Sequence, residues 1–174
     1  MTAANFNKCL QLVLVSEGGN VDDPDDPGGR TSRGITQREY DAYRTSHAGL
    51  PDDVFAAPQS AVDEIYDISY WHPWSPQFPD GVDYVFFDTS VLNGPLRAAK
   101  WLQQALGVTV DGHIGVITLT ALQSAKPQDV IVKISSFRAA NYNDLVSENP
   151  RLAKYLKGWM ARTSRVQTDA LGMA

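Results

Sequence analysis

Cysteine is nearly absent from this chain: one residue, Cys9, occurs among 174. A single cysteine excludes an intrachain disulfide. Cys9 falls within an apolar helical pattern, which is typical of a small buried residue and a poor setting for a nucleophile. Histidine is also scarce, and His47, His72 and His113 are far apart, without the spacing of zinc ligands. We therefore expect no metal and no other cofactor.

Clustered positive charge and long apolar runs are missing as well. The net charge is −5 at pH 7 and there is no long basic run, which excludes the phosphate-neutralising surface that nucleic-acid binding requires. No segment reaches the ~20 apolar residues of a membrane span. The apolar run at 10–15 is short and no A-x-A-like cleavage site follows it, so we expect no secretory signal. The expectation is a monomer made in the cytoplasm, with no nucleic acid partner and no membrane span.

What the chain does have is a globular composition, with 43% apolar and 20% charged residues. Apolar residues recur at spacings of three and four along most of it, which predicts helices. Prolines and glycines in residues 20–35 forbid a helix there and favour a loop or short strands. We predict a mostly α fold with at most a small β-hairpin near residues 20–35. Helices are expected at 4–17, 37–44, 59–70, 82–92 (a strand is the alternative), 95–106, 118–123, 129–147 and 151–168.

The most unusual local pattern begins where the first helix ends. Its apolar run finishes on Glu17, and Gly18-Gly19 stops the helix because glycine adopts left-handed backbone angles without a Cβ penalty. The negative end of the helix dipole disfavours a carboxylate there by roughly 0.3–1 kcal/mol, which suits an acid that must keep its proton. The acidic, Pro- and Gly-rich loop that follows is by composition a solvated turn. A calcium loop is a weaker alternative, because the prolines break the EF-hand spacing.

The same segment contains the groups that glycoside hydrolysis needs, namely an acid for the leaving oxygen and a carboxylate that activates water or attacks. Glu17 is placed to be the acid. Four aspartates are candidates for the second carboxylate, and three hydroxyls can hold a water. These residues are Asp22, Asp23, Asp25 and Asp26, with Thr31, Ser32 and Thr36. No nucleophile elbow or phosphate loop competes with this interpretation.

Several motifs follow one another along the first half of the chain. They are Glu17-Gly18-Gly19, Asp23-Pro24, Asp26-Pro27-Gly28-Gly29, Thr31, Gly34-Ile35-Thr36, Ile65-Tyr66, Tyr70-Trp71, Phe87-Asp88 and Gly94-Pro95. Together they resemble the signature of glycoside hydrolase family 108, a family of phage and bacterial N-acetylmuramidases. Asn20, His72 and Leu92 depart from the residues common in that family. The resemblance implies a lysozyme-like helical fold with Glu17 as the catalytic acid.

A second set of motifs occupies residues 102–162. It comprises Leu102-Gln103, Leu106-Gly107-Val108, Asp111-Gly112, Ile114-Gly115, Thr118, Arg138, Gly158-Trp159 and Arg162. These resemble the small helical peptidoglycan-binding module that often follows the family 108 domain. The resemblance divides the chain into a catalytic lobe, residues 1–93, and a helical lobe, residues 94–174, which we expect to pack against it.

An analogy of spacing suggests the partner of Glu17. Phage-type lysozymes of another family place an aspartate nine residues, and a threonine fifteen residues, after the catalytic glutamate. Here Asp26 is nine residues after Glu17, and Ser32 is fifteen after, with Thr31 beside it. We therefore predict Asp26 as the water-orienting carboxylate. The assisting hydroxyl is Thr31 or Ser32, and Ser32 is otherwise a substrate contact.

Aromatic side chains are the expected walls of a saccharide cleft, since their faces stack on pyranose rings. We predict that Tyr66, Tyr70 and Trp71 contact the substrate, with Trp74 as a further candidate. Burial in the helical core is the alternative for the two tyrosines.

These patterns predict a peptidoglycan hydrolase that cleaves the β-1,4 bond between N-acetylmuramic acid and N-acetylglucosamine, most simply a phage or prophage endolysin. Its partner is then the glycan strand of peptidoglycan, reached in the periplasm after release from the cytoplasm. A lytic transglycosylase and a non-catalytic peptidoglycan-binding protein are the alternatives.

Overall fold

The computed structural model describes residues 3–22, 29–72 and 74–174, and eight α-helices and three short strands occur in this part of the chain. The helices are α1 (Ala3–Glu17), α2 (Gln37–Arg44), α3 (Gln59–Tyr66), α4 (Val82–Asn93), α5 (Pro95–Leu106), α6 (Val116–Ser124), α7 (Pro127–Glu148) and α8 (Ala153–Leu171). The strands are β1 (Asn20–Val21), β2 (Thr31–Ser32) and β3 (Ile35–Thr36). The predicted mostly α fold with a small hairpin near residues 20–35 is confirmed.

The described residues form two compact units. The first comprises Phe6–Ser69, and the second comprises Tyr70–Ala174 together with residues 3–5. The lobe boundary that the sequence predicts after residue 93 stays a prediction. Among the described helices, none is both long enough and apolar enough to cross a membrane.

The first unit contains the hairpin. Helix α1 ends at the predicted glycine stop, where Gly18 has a φ of 73°. Strands β1, β2 and β3 pair antiparallel in chain order. Ser32 pairs with Ile35 across the two-residue turn Arg33-Gly34, whose φ angles are both positive, at 50° and 79°. Positive φ at both positions is characteristic of a type I′ turn, whose twist matches that of the flanking strands.

Helix α2 follows β3 directly and begins with a capping box. Glu39 N donates to Thr36 Oγ1 at 3.2 Å, and Thr36 N donates to Glu39 Oε2 at 2.9 Å. The two bonds satisfy backbone N–H groups that the start of a helix leaves without partners. The two hydrogen bonds therefore fix the point at which the hairpin ends and α2 begins.

Helix α3 is shorter than the sequence predicts. The α-helical geometry ends at Tyr66, and Asp67–Trp71 continues as a π-helical turn, a widening that apolar spacing does not distinguish from an α-helix. In the proline-rich stretch that follows, Ser75–Gln77 forms a 3-10 turn. Pro76 is tolerated there because the first turn of a helix needs no N–H donor.

Helix α4 is the centre of the second unit. Every residue from Val82 to Ser90 is buried, and the helix packs against α5, α7 and α8. The hydroxyls of Thr89 and Ser90 donate to the carbonyl oxygens of Val85 and Phe86 at 2.6 and 2.8 Å, so these buried polar groups have partners. The helix predicted over residues 82–92 is confirmed, and the strand alternative is wrong.

A buried ionic cluster joins α4 to α7 and α8. Asp88 accepts hydrogen bonds from Arg138 Nη1 at 2.5 Å and from Arg162 Nη2 and Nε at 2.7 and 3.0 Å. Asp88 and Arg138 are almost fully buried, and Arg138 Nε also donates to the Tyr142 hydroxyl at 3.1 Å. Charges removed from water are tolerated only when they are paired. The cluster therefore favours one mutual arrangement of the three helices.

Candidate functional site

Glu17 is the last residue of α1 and is half-buried, and its carboxylate lies against the tip of the hairpin. A Cβ atom built on Gly34 would lie 2.9 Å from Glu17 Oε2 and 3.2 Å from Glu17 Cγ. Real Cβ atoms essentially never approach another heavy atom within 3.0 Å. Glycine at position 34 therefore serves two requirements, because it adopts the positive φ of the turn and leaves room for the carboxylate.

Tyr66, at the end of α3, lies against the same turn. Its hydroxyl donates a hydrogen bond to Arg33 O at 2.8 Å, and the hydroxyl oxygen is 2.5 Å from the position of a Cβ on Gly34. The residue is 1% exposed, so its ring belongs to the core of the protein. The structure thus brings Tyr66 together with Glu17 at the hairpin. Its contact with a saccharide stays a prediction.

Arg33 is the only non-glycine residue with a positive φ in the described part of the chain. Its guanidinium donates from Nη2 to Ala57 O at 2.7 Å and from Nη1 to Gln59 Oε1 at 2.9 Å. The tip of the hairpin is therefore bonded to the start of α3 through the Arg33 side chain and to the end of α3 through Tyr66. The sequence did not predict this role for Arg33, because arginine has no preference for left-handed backbone angles.

The two candidate hydroxyls lie next to each other on β2. Thr31 is half-buried and its Oγ1 donates to Gly29 O at 3.0 Å, so the lone pairs of that oxygen are left to accept a further bond. Ser32 is 2% exposed, and Arg33 Nε donates to its Oγ at 3.4 Å. Thr31 is the more accessible of the two. Asp26, the predicted second carboxylate, lies outside the described residues.

Arg30 anchors the beginning of β2. Its Nε and Nη2 donate to both carboxylate oxygens of Asp53 at 2.9 and 2.7 Å, and its Nη1 donates to Asp22 at 2.6 Å. The guanidinium also lies over the Phe55 ring, 3.6 Å from its centroid. The hydrogen bonds from Arg30, assisted by one from the backbone of Phe55, lower the pKa of Asp53 to about 2. The sequence did not predict these contacts of Arg30, because a single arginine after an acidic loop does not indicate which carboxylate it pairs with.

The other two predicted aromatic contacts, Tyr70 and Trp71, belong to the second unit. Trp71 is 4% exposed, and its ring meets Phe87 edge-on with the centroids 5.3 Å apart. Tyr70 is half-buried. A substrate contact by either residue stays a prediction.

Comparison of the sequence and the fold with known proteins identifies the family of this chain. The family described as Glycosyl hydrolase 108 matches residues 10–94, and the one described as Predicted Peptidoglycan domain matches residues 97–164. Among solved structures, SagA of Brucella abortus is 33% identical with a TM-score of 0.82, over 98% of this chain and 96% of that chain. The chain belongs to glycoside hydrolase family 108. No curated protein matches it significantly.

The family 108 match contains Glu17, the whole hairpin and Tyr66. The resemblance that the sequence motifs indicated is therefore confirmed, and the protein is a glycoside hydrolase. Together with the peptidoglycan domain and the likeness to SagA, the match makes it a peptidoglycan hydrolase, with peptidoglycan as its partner. Among the described residues, no three His, Cys, Asp or Glu side chains are grouped as metal ligands would be.

The peptidoglycan-domain match includes a loop between α5 and α6 that one buried amide holds. Gln103 Nε2 donates to Asp111 Oδ1 at 2.7 Å and to His113 O at 3.0 Å, and Gln103 Oε1 accepts from Gly112 N at 2.7 Å. Asp111 Oδ1 also accepts from His113 N at 2.8 Å. In this family 108 protein the Asp-Gly motif is therefore a structural turn.

Proposed function

We propose that this family 108 enzyme is an N-acetylmuramidase, which hydrolyses the β-1,4 bond between N-acetylmuramic acid and N-acetylglucosamine with Glu17 as the general acid. The observation that carries the proposal is the position of the Glu17 carboxylate, at the end of α1 and against the turn at Gly34. The same residues begin the family 108 motif, and the peptidoglycan domain indicates the polymer that contains the bond.

The proposed reaction needs one proton and one water molecule. Glu17 donates its proton to the glycosidic oxygen as the bond to the sugar C1 breaks, and water adds to C1. We assign activation of that water to Asp26, on the basis of its spacing from Glu17, and a hydrogen bond to the water to Thr31 or Ser32. Attack by an aspartate-bound water from the opposite face gives inversion, for which the two carboxyl groups must be about 6.5–9.5 Å apart.

The test is product analysis on purified peptidoglycan. The wild-type enzyme is expected to release fragments with reducing N-acetylmuramic acid ends, identified by mass spectrometry after borohydride reduction. Glu17→Gln is expected to lower the rate by about 10²–10⁴-fold, the usual contribution of a general acid, and Asp26→Asn is expected to be similarly impaired.

Glu148→Gln is the matched control, because Glu148 is also the last residue of a helix but is exposed and lies in the second unit. It should retain wild-type activity. Anhydro-muramic ends would instead indicate a lytic transglycosylase. Wild-type-like activity of folded Glu17→Gln would reject Glu17 as the acid.

We further propose that the enzyme is a phage or prophage endolysin, made in the cytoplasm and active on the cell wall after release. In this role the enzyme needs access to the peptidoglycan polymer, which lies outside the cytoplasmic membrane. Expression in the cytoplasm of a bacterial host is expected to leave cells intact until the membrane is permeabilised, and culture turbidity should then fall. If the cells lyse on expression alone, without permeabilisation of the membrane, this role is contradicted.

A further inference from the structure

The tip of the hairpin is held in a backbone conformation that it would not choose by itself. A type I′ turn needs positive φ at both central residues, and the favoured residues are Asn, Asp and Gly. Here the first position is Arg33, with a φ of 50°. Residues held in such regions are usually over-determined by their surroundings and are concentrated at functional sites.

The carbonyl oxygen and the guanidinium of Arg33 are held by α3 and the residues just before it, and its backbone N donates to Gly19 O at 3.3 Å. Its carbonyl oxygen accepts from the Tyr66 hydroxyl at 2.8 Å, and its guanidinium donates to Ala57 O and Gln59 Oε1 at 2.7 and 2.9 Å. Ala57 precedes α3 by two residues, Gln59 begins the helix and Tyr66 ends it. The turn is thus fixed from two sides by contacts about one helix length apart.

The fixed turn in turn limits the space open to Glu17. Both Glu17 Oε2 and Tyr66 Oη lie within 2.9 Å of the point where a Cβ on Gly34 would be, so the turn backbone, the hydroxyl and the carboxylate form one close-packed group. If the turn moved, the wall beside the carboxylate would move with it. A general acid must stay within hydrogen-bond reach of the leaving oxygen, so that wall bears directly on the rate.

We propose that Tyr66 and Arg33 are positioning residues for the catalytic acid: they fix the Arg33-Gly34 turn, and the turn fixes the orientation of the Glu17 carboxylate. The inference rests on the proposed role of Glu17 as the acid. It assigns the Tyr66 hydroxyl to the hairpin rather than to the saccharide, while the ring serves the core. A variant that lacks only the hydroxyl therefore tests the role of the hydroxyl separately from that of the ring.

The decisive variant is Tyr66→Phe, which keeps the buried ring. We expect kcat on solubilised glycan chains to fall about 10–100-fold, since small misplacements of reacting groups have effects of this size, while KM stays within about twofold because no substrate contact is lost. Tyr43→Phe is the matched control. The Tyr43 hydroxyl lies in the same unit but donates to Glu64, a residue outside the hairpin, at 2.7 Å, so this variant should keep wild-type kcat.

A double variant tests whether Tyr66 acts through the turn. Gly34→Ala places a methyl group 2.5 Å from Tyr66 Oη and 2.9 Å from Glu17 Oε2, and should lower kcat at least as much as Tyr66→Phe. The combination Gly34→Ala with Tyr66→Phe removes the closer of the two overlaps. Its loss should therefore be clearly smaller than the product of the two single losses.

A third variant addresses Arg33 without risk to the turn. Arg33→Gly relaxes the backbone at φ 50° but removes the bonds to Ala57 and Gln59. We expect a folded protein with kcat reduced about tenfold, in the range of one lost positioning contact. Unchanged kcat would remove Arg33 from the proposal.

The outcomes separate this inference from the proposed function. If Glu17→Gln is inactive while Tyr66→Phe matches Tyr43→Phe in kcat, the positioning role is overturned and the general acid stands. If the losses of Gly34→Ala and Tyr66→Phe multiply, the two residues act independently and the role is also overturned. If folded Glu17→Gln retains wild-type activity, the proposed function itself fails. Urea unfolding and circular dichroism of each variant verify that the compared proteins are folded.

Discussion

Asp88→Asn is the substitution expected to affect the stability of this enzyme most clearly. The carboxylate of Asp88 is fully buried and accepts three hydrogen bonds of 3.0 Å or less from Arg138 and Arg162. Asparagine has nearly the same shape but offers one acceptor oxygen, and its amide would direct N–H groups at a guanidinium. The two arginine charges would lose their counter-charge, although Arg138 is only 1% exposed and the Arg162 side chain 11%.

The expected loss is large compared with the stability of a domain. Removal of one partner from a buried ion pair costs about 3–5 kcal/mol, because the other charge stays buried without compensation. Whole domains are stable by roughly 5–15 kcal/mol. For a chain of this size the loss corresponds to a decrease in melting temperature of roughly 6–20 °C.

Urea unfolding, monitored by tryptophan fluorescence, measures this loss of stability in the second unit. All four tryptophans, at positions 71, 74, 101 and 159, belong to the second unit, as do Asp88 and both arginines. The control is Asp144→Asn, which replaces an exposed carboxylate of α7 in the same unit and should change the free energy of unfolding by no more than about 0.5 kcal/mol. An unfolding free energy for Asp88→Asn within 1 kcal/mol of the wild-type value would refute the structural role assigned to the cluster.

Two further predictions concern carboxyl groups with displaced pKa values. Burial, chiefly, raises the pKa of Asp83 from 3.8 to about 6; the unfolded chain then releases its proton first, so wild-type stability falls as the pH rises from about 4 to about 6. Asp83→Asn lacks this penalty, and urea unfolding should show its stability relative to wild type increasing by about 2 kcal/mol between pH 4 and pH 7; a constant difference would contradict the raised pKa. The substitution Arg30→Gln removes the main cause of the low pKa of Asp53, which is about 2. A carbon-13 NMR titration of that carboxyl should show its pKa moving towards the ordinary value of 3.8. An unchanged pKa would mean that Arg30 is not the cause.

Features that depend on neighbours along the chain could be predicted from the sequence. The glycine stop after Glu17 and the capping box at Thr36 each depend on residues within one turn of a helix, and both are present. Pro95 begins α5 for the same reason, since its missing N–H is not needed there. Apolar spacing located α4 but did not reveal where α3 changes into a π-helical turn, because both geometries place apolar residues on one face.

Features that depend on distant residues could not be predicted in this way. Arg138 and Arg162 were matched to one motif and Asp88 to another, yet 50 and 74 residues of chain separate them from their partner. At the candidate site, Glu17 was predicted as the acid from its position at a helix end and from the family motif, and that role stays a prediction. The reason for Gly34 became visible only when Glu17 and Tyr66 were located around it in space.

The burial of α4 has a consequence for the order in which the protein is synthesised. Helix α4 leaves the ribosome before α7 and α8, the helices that cover much of it. At roughly 5–20 residues per second, the stretch from residue 94 to residue 171 takes about 4–16 s to follow. During this interval the apolar surface of residues 82–90, which is buried in the finished enzyme, is open to chaperones and to other nascent chains. The second unit is therefore completed only when its last helix has been made, and a ribosome that stops early releases a chain with its central helix uncovered.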